Sequence, residues 1–239
     1  MRSAFPLCLF VCVGTLLGLS SCSSPVSPPE PVHELTAYEQ FTAKPGYPVL
    51  MEAYTDEALM QQASAQSPIV ICLSQQRARL YVNDQVAMDW PVSTGVSSHP
   101  TPTGSFKIRF KEQQHCSNRY GRIYNAEGKC INGNADIFKD ELPEGGRFDG
   151  APMPNWMRLT ADGVGMHTGK VKAGQRLSHG CIRTPHKIAL RLFRLTKVGT
   201  PVTITEEPEP LFPRLPEQAQ LPTVKHPVPA PAETPKPSA

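Results

Sequence analysis

After Pro68 the sequence settles into a period of two, and this alternation limits the chain to a β architecture more firmly than any other feature. In "RARLYV" Ala78, Leu80 and Val82 share one side while Arg77, Arg79 and Tyr81 take the other. Val86, Met88, Trp90 and Val92 alternate in the same way, as do Phe106, Ile108 and Phe110 against Lys107, Arg109 and Lys111. Successive side chains of a strand point to opposite faces, so each run reads as a half-buried strand. Asn83 and Asp84 tolerate the backbone of a tight turn, which predicts a hairpin between the first two runs. "IVICLS" is continuously apolar and reads as a buried strand with Cys72 in the core. Short strands are expected around "MRLT" and "VGMHT", and a closing strand at "TPVTIT".

Helix is a minor component. "TDEALMQQASAQ" predicts one short helix capped by Thr55 or Asp56. "PHKIALRLFRLTK" predicts another, with Thr184 as N-cap, Pro185 at the first helical position and Gly199 just past its end. The stretch before about residue 155 reads as loop-rich, and no internal repeat is visible. The expected fold class is mostly β (α+β), in one domain spanning residues 67–206.

The two ends differ from this middle. Residues 1–21 combine Arg2 with the apolar run "AFPLCLFVCVGTLLGL", broken by Pro6, and read as an export signal rather than a membrane span. "LSSC", Leu19 to Cys22, resembles a bacterial lipobox. That resemblance implies that Cys22 carries lipid, anchors the chain to a membrane and faces it toward the periplasm. Ser23 and Ser24 after the cysteine favour the outer membrane. Residues 22–66 are expected to form a Pro-rich tether and one short helix. Residues 206–239 hold ten prolines among few apolar side chains, so a disordered tail is expected over 207–239.

Cysteine use follows from export. Cys8 and Cys12 leave with the signal, Cys22 is lipidated, and Cys72 belongs to the core. Cys116 and Cys130 flank the polar stretch "SNRYGRIYNAEGK" and read as a disulfide closing it, a loop worth about 3 kcal/mol in the chain-entropy model. Zinc is the rival reading, with His115 adjacent, although the spacing lacks the close cysteine pair of a zinc ribbon. Cys181 is then left without a partner in an oxidising compartment.

A thiol used as a nucleophile needs a base within reach, donors aimed at an oxyanion and an open turn. "SHGC" supplies Gly180, which admits positive φ, and the Gly180 and Cys181 amides as candidate donors. His167 lies fourteen residues upstream of Cys181 and His179 two; spacing alone does not choose between them. Between Asp162 and Glu206 no acidic residue occurs, while Lys170, Lys172, Arg176, Arg183, Lys187, Arg191, Arg194 and Lys197 do. Lys187, Arg191 and Arg194 fit a solvated helix face, whereas Arg183 sits two residues past the thiol. Such a field is expected to lower the Cys181 pKa and to attract carboxylates.

"MHTGKVKAGQRLSHGCIRTP" resembles the active-site signature of the bacterial L,D-transpeptidase family with its YkuD-type catalytic domain. "PVSTGVSSHPTPTGSFKI" and "GTPVTI" resemble its other strands, so the likeness covers most of residues 67–205. It implies a β-sandwich or barrel-like domain with a short helix after the catalytic cysteine. By position it implies Cys181 as nucleophile and His167 as general base and acid, its ring oriented by a backbone carbonyl. Ser178, His179 and Gly180 would shape the oxyanion pocket, and Arg183 would support the site or hold a substrate carboxylate. Thr168 departs from the Gly or Ala of many members, and His99 and His115, matching no catalytic position, are expected in loops.

The activity implied is acyl transfer on peptidoglycan stem peptides, without cofactor, metal or nucleic acid. The thiolate would attack the L-centre carbonyl of the diamino-acid residue in a tetrapeptide, expel D-alanine and form a thioester. An amine of a second stem, or a lysine of a wall-anchored lipoprotein, would resolve it. Water as resolver would make the chain an L,D-endopeptidase or amidase. A non-catalytic wall-binding lipoprotein is the reading outside enzymes.

Overall fold

The computed structural model describes residues 34–208. In chain order the first elements are α1 (Ala37–Thr42), β1 (Tyr54–Thr55), α2 (Glu57–Gln62), β2 (Ile69–Cys72), β3 (Arg77–Val82), β4 (Gln85–Pro91) and β5 (Gly104–Lys107). There follow β6 (Phe110–Glu112), β7 (Cys116–Tyr124), β8 (Cys130–Asp136), β9 (Arg147–Pro152) and β10 (Trp156–Arg158). The last are β11 (Gly165–Thr168), β12 (Ile182–Thr184), α3 (His186–Leu195) and β13 (Pro201–Thr205). A six-stranded sheet has the order β1-β4-β3-β2-β13-β5, and a four-stranded sheet the order β12-β11-β10-β6. The sheets stay open and sandwich-like; they do not close into a barrel.

Along β3 and β4 the alternating residues place the core as the period predicts, but the run Phe106-Ile108-Phe110, expected as one strand, is divided between β5 and β6 in different sheets, and Phe110 is exposed. Leu80, Met88, Trp90, Ile71 and Ile204 from the large sheet meet Met157, Met166 and Ile182 from the small one, with Leu192 of α3 in the same cluster. The Asn83-Asp84 turn has φ of 49° and 60°, as a two-residue hairpin requires. Asp56 caps α2 by accepting from Leu59 N–H. Pro185, not Thr184, occupies the N-cap position of α3 and caps it with no side-chain bond, because Thr184 is still paired in β12 opposite Thr168.

Two sequence expectations require correction. The opposite face of β3 was expected to meet solvent, and residues 22–66 to form a tether with a short helix; the helix forms as α2 and packs Met60 into the apolar core, but residues 38–52 cover that opposite face. Arg77 and Arg79 are buried with Asp89. Asp89 accepts from Arg77 Nε, from Arg79 Nε at 3.1 Å, and from the Tyr38 and Tyr47 hydroxyls at 2.7 and 2.9 Å. Arg77 also donates to the Pro48, Leu50 and Glu52 carbonyls. Burial, followed by the Asp89 charge, holds the Tyr38 phenol protonated. Period two reports which residues share a face; it does not report that another segment covers the polar face.

The second correction concerns Cys116 and Cys130, which are free and exposed. The stretch expected as loop is a three-stranded sheet of order β8-β7-β9. Cys130 pairs with Tyr124 at one end of β7, while Cys116 pairs with Pro152 at the other. Eight residues of strand separate those ends by more than about 20 Å, against the roughly 7 Å Cα limit of a disulfide. The same separation removes the zinc reading, and no cluster of metal-ligating side chains forms among the described residues. Cys22, residues 1–21 and all but the start of the tail 207–239 lie outside the described residues.

Asp89→Ala would leave two guanidinium groups buried without their carboxylate. It is expected to cost about 3–5 kcal/mol in urea denaturation, whereas Tyr38→Phe, which removes one of four donors, costs about 1 kcal/mol.

Candidate active site

The turn that carries Cys181 hangs on the loop that follows β4. Leu177 N–H and Ser178 N–H both donate to the Thr94 carbonyl, and Val96 N–H donates to the Ser178 carbonyl. Thr101 Oγ1 donates to the Gly180 carbonyl at 2.7 Å. Thr94 and Thr101 are buried, so the "STG" and "TPTG" segments of the sequence act as the scaffold of the turn. Within it Ser178 Oγ donates to the Cys181 carbonyl at 2.5 Å and accepts from Gly180 N–H at 3.2 Å. Gly180 has φ of 110°, a conformation that a side chain would strain. The Gly180 amide, expected as an oxyanion donor, is therefore engaged by Ser178.

His167 is brought beside this turn by the parallel pairing of β11 with β12, in which Met166 faces Ile182 and His167 faces Arg183. Gly165 is thereby level with Cys181, and its N–H faces the sulfur. The His167 ring is 6% exposed, with Nδ1 2.8 Å from the Thr168 carbonyl. A carbonyl only accepts, so Nδ1 carries the proton and Nε2 is left as the basic nitrogen. Thr168 is itself held, its N–H by the Pro154 carbonyl and its Oγ1 by Asn155 Nδ2. The Cys181 thiol donates to the Gly163 carbonyl at 3.8 Å, and among the described residues no hydrogen bond joins it to an imidazole.

Both residues line one cavity of about 1130 Å³, whose far wall is the three-stranded sheet. His179 stacks on Tyr120 at 4.4 Å and meets His99 edge-on at 4.8 Å, so its ring belongs to that wall. His99 and His115, expected as loop residues, both line the cavity. So do Tyr120 and Trp156, which the sequence reading passed over. Tyr120 and His115 come from the stretch expected to be loop, where no period marks them.

The electrostatics reverse one expectation. Burial pushes the Cys181 thiol up, outweighing the lowering by the Gly165 amide and Arg183. Burial also pushes His167 down to about 4, with Arg183 and His115 adding to it against the Thr168 carbonyl. The cationic field is present, but desolvation exceeds it, and the resting pair is neutral thiol and neutral imidazole. Of the cavity cations, Arg119 is paired with Asp136 and Arg158 donates to the Thr160 and Ala161 carbonyls. Lys170 and Arg183 make no ion pair among the described residues.

Residues 67–204, more than half of the chain, match the YkuD family, the L,D-transpeptidase catalytic domain. The chain belongs to that family. Among solved structures it is similar to an L,D-transpeptidase from Mycobacterium smegmatis, at 23% identity over 59% of each chain and a TM-score of 0.45. It is also similar to one from Stackebrandtia nassauensis, at 19% identity over 61% of this chain and 58% of that one, TM-score 0.43. L,D-transpeptidase 3 of Mycobacterium tuberculosis, in complex with a faropenem-derived adduct, shares 19% identity over 59% of this chain and 60% of its own, TM-score 0.44. The chain thus spans about three fifths of the length of these relatives. None of the curated proteins matches it.

The depressed His167 makes a testable contribution to stability. The unfolded chain takes up a proton near pH 6.5 while the folded one resists until about 4. Stability is therefore full above that window and falls as pH drops through it, by up to about 3 kcal/mol. Denaturation of wild type across this range should record the loss, and a His167→Ala variant should record a smaller one.

Proposed function

We propose that this protein is a cysteine-dependent acyltransferase of the cell wall, an L,D-transpeptidase acting on peptidoglycan stem peptides. The observation that carries the reading is the placement of His167 on β11 and of Cys181 in the turn that leads into the adjacent parallel strand β12, both opening into one cavity, with the His167 Nδ1 proton committed to Thr168. Family membership supports the same reaction class.

In this reading the tetrapeptide enters the cavity with carboxylates toward Arg183 and Lys170. Its volume, about 1130 Å³, exceeds the roughly 300–1,000 Å³ of ordinary small-molecule sites and suits a peptide. As sulfur attacks the L-centre carbonyl, the thiol proton passes to His167 Nε2; both groups rest neutral, so no ion pair has to be maintained in a desolvated site. The carbon–nitrogen bond to D-alanine breaks, and the proton on Nε2 goes to the departing amine. A thioester remains on Cys181. The neutral amine of an acceptor then attacks it, His167 takes the amine proton, and sulfur leaves to recover that proton as thiol. Acceptors in this reading are the side-chain amine of another stem or a lysine of a wall-anchored lipoprotein.

The envelope setting rests on the sequence. "LSSC" supports lipid attachment at Cys22, and Pro25, Pro28, Pro29 and Pro31 support a tether from a membrane, with the outer membrane facing the periplasm as the proposed location.

Purified protein incubated with tetrapeptide muropeptides, or with a carbapenem, should gain an acyl mass on Cys181. Cys181→Ala should abolish it, and His167→Ala should slow it by about a hundredfold or more. Cross-linked dimers among the products support transfer to an amine; tripeptide without dimers would instead make the protein a hydrolase. A folded wild-type protein that is never acylated contradicts the enzymatic reading.

A further inference from the structure

Trp156 is buried to 2% exposure on β10, next to the strand that carries His167, and it meets both halves of the site. On one side its six-membered ring closes on Gly165, where an added Cβ would stand 2.8 and 2.9 Å from Trp156 Cη2 and Cζ3. Gly165 is the residue level with Cys181 across the β11–β12 pairing. The same indole packs on the His167 imidazole, with centroids 5.9 Å apart and planes tilted by 51°. A third group completes the arrangement: the His115 ring lies nearly parallel to the indole, at 4.9 Å and 13°. His115 is fixed in turn by Glu112 Oε2, 2.6 Å from its Nδ1. Glu112 is the residue opposite Trp156 in the β6–β10 pairing, so this bracket is anchored on the neighbouring strand. Met153 N–H donates to the His115 carbonyl at 2.7 Å and ties the approach to β10 to the same corner.

We propose that Trp156 is a positioning residue for both members of the dyad: its ring edge sets Gly165 against the Cys181 sulfur, its contact with the imidazole fixes the His167 ring, and the His115–Glu112 bracket keeps the indole from turning. This rests on the acyl-transfer reading above and deepens it, since Trp156 makes and breaks no bond in the reaction described. The inference follows from rigidity. The His167 ring has one hydrogen bond, at Nδ1 to Thr168, and that bond alone leaves the ring some freedom to tilt. A packed aromatic plane removes that freedom, and a displacement of about 1 Å in such a pair costs up to about a hundredfold in rate. The charged and titratable groups that face His167 are Arg183 from β12 and His115 across the indole, with the Thr168 carbonyl at Nδ1.

The test compares wild type, Trp156→Ala, Trp156→Phe and His115→Ala by two measurements. One is kcat and KM for transpeptidation of a tetrapeptide muropeptide; the other is the NMR titration of the His167 imidazole, which needs no turnover. Trp156→Ala is expected to lower kcat by about tenfold to a hundredfold with KM within about threefold. It should also move the His167 titration from about 4 toward 6.5. Trp156→Phe, which keeps an aromatic plane, should recover kcat to within about threefold of wild type. His115→Ala should give a smaller kcat loss of the same kind. A folded Trp156→Ala protein with kcat and titration unchanged overturns the proposal, as does a Phe variant no better than Ala. If Trp156→Ala fails to fold, His115→Ala decides: a kcat loss at constant KM supports the proposal and unchanged kinetics overturn it. If wild type makes no transpeptidation product, the functional reading fails by itself, and the titration arm still decides whether Trp156 sets His167.

Discussion

The parallel pairing of β11 with β12 is the constraint on which the rest of the site depends. Parallel strands require a crossover, and here the thirteen residues between Thr168 and Ile182 supply it, bonded on the way to the loop after β4. That path explains why so much of the buried hydrogen bonding converges on Thr94, Thr101 and Ser178. Each fixes a segment of irregular backbone that would otherwise carry unsatisfied polar groups in the interior. Ser93 extends the same frame, exchanging both backbone bonds with Arg183 and holding the Lys172 amide through its hydroxyl. His167 and Cys181 are thus set by one strand pairing, His167 on β11 and Cys181 just ahead of β12.

Burial decides the charge state of what the pairing brings together. Around Asp89 the protein buries charge and satisfies it, with two arginines and two tyrosines on one carboxylate. At Cys181 and His167 it buries titratable groups without a full counter-charge, and both shift toward neutrality. The contrast is instructive because the local sequence is rich in cations. A positive net field acts over several ångströms and is weakened by solvent, whereas desolvation acts on the group itself. Arg183 and Lys170, which like Arg122 and Arg158 line the cavity without an ion pair among the described residues, are cations a carboxylate-bearing ligand would meet on entering it.

How much of this could be read from the residues follows from which interactions are local. Strands β3 and β4 were legible because their apolar faces carry the periodic signal, and β2 because its run is continuously apolar. The Asn83-Asp84 turn and the Asp56 cap were legible because turn and cap chemistry is contained within a few residues. The three-stranded sheet was not: β7 and β8 bury only Gly121, Ile123 and Ala135, and Arg119 is held between Asp136, Tyr120 and Phe138 rather than in an apolar face. Taking "SNRYGRIYNAEGK" as a loop then makes a disulfide of two cysteines that lie at opposite ends of β7, Cys116 on it and Cys130 on β8 beside its far end. In the site, Cys181, His167 and Arg183 lay within a recognisable segment, while Trp156, His115, Tyr120 and His99 join it only through tertiary packing. The covering of Arg77 and Arg79 by residues 35–55 escaped for the same reason, since a strand does not encode what is laid over its polar face.

The central claim is that the resting dyad is a neutral thiol beside a neutral imidazole, ionised only as substrate is attacked. Its most direct test is the ultraviolet absorbance of the thiolate, followed across pH in wild type and in a Cys181→Ser protein. The account predicts no difference between them at neutral pH, with the thiolate signal emerging only above the ordinary cysteine range. A thiolate signal specific to Cys181 already present at neutral pH and lost on acidification would contradict it, because it would mean an ion pair is stable in the buried site.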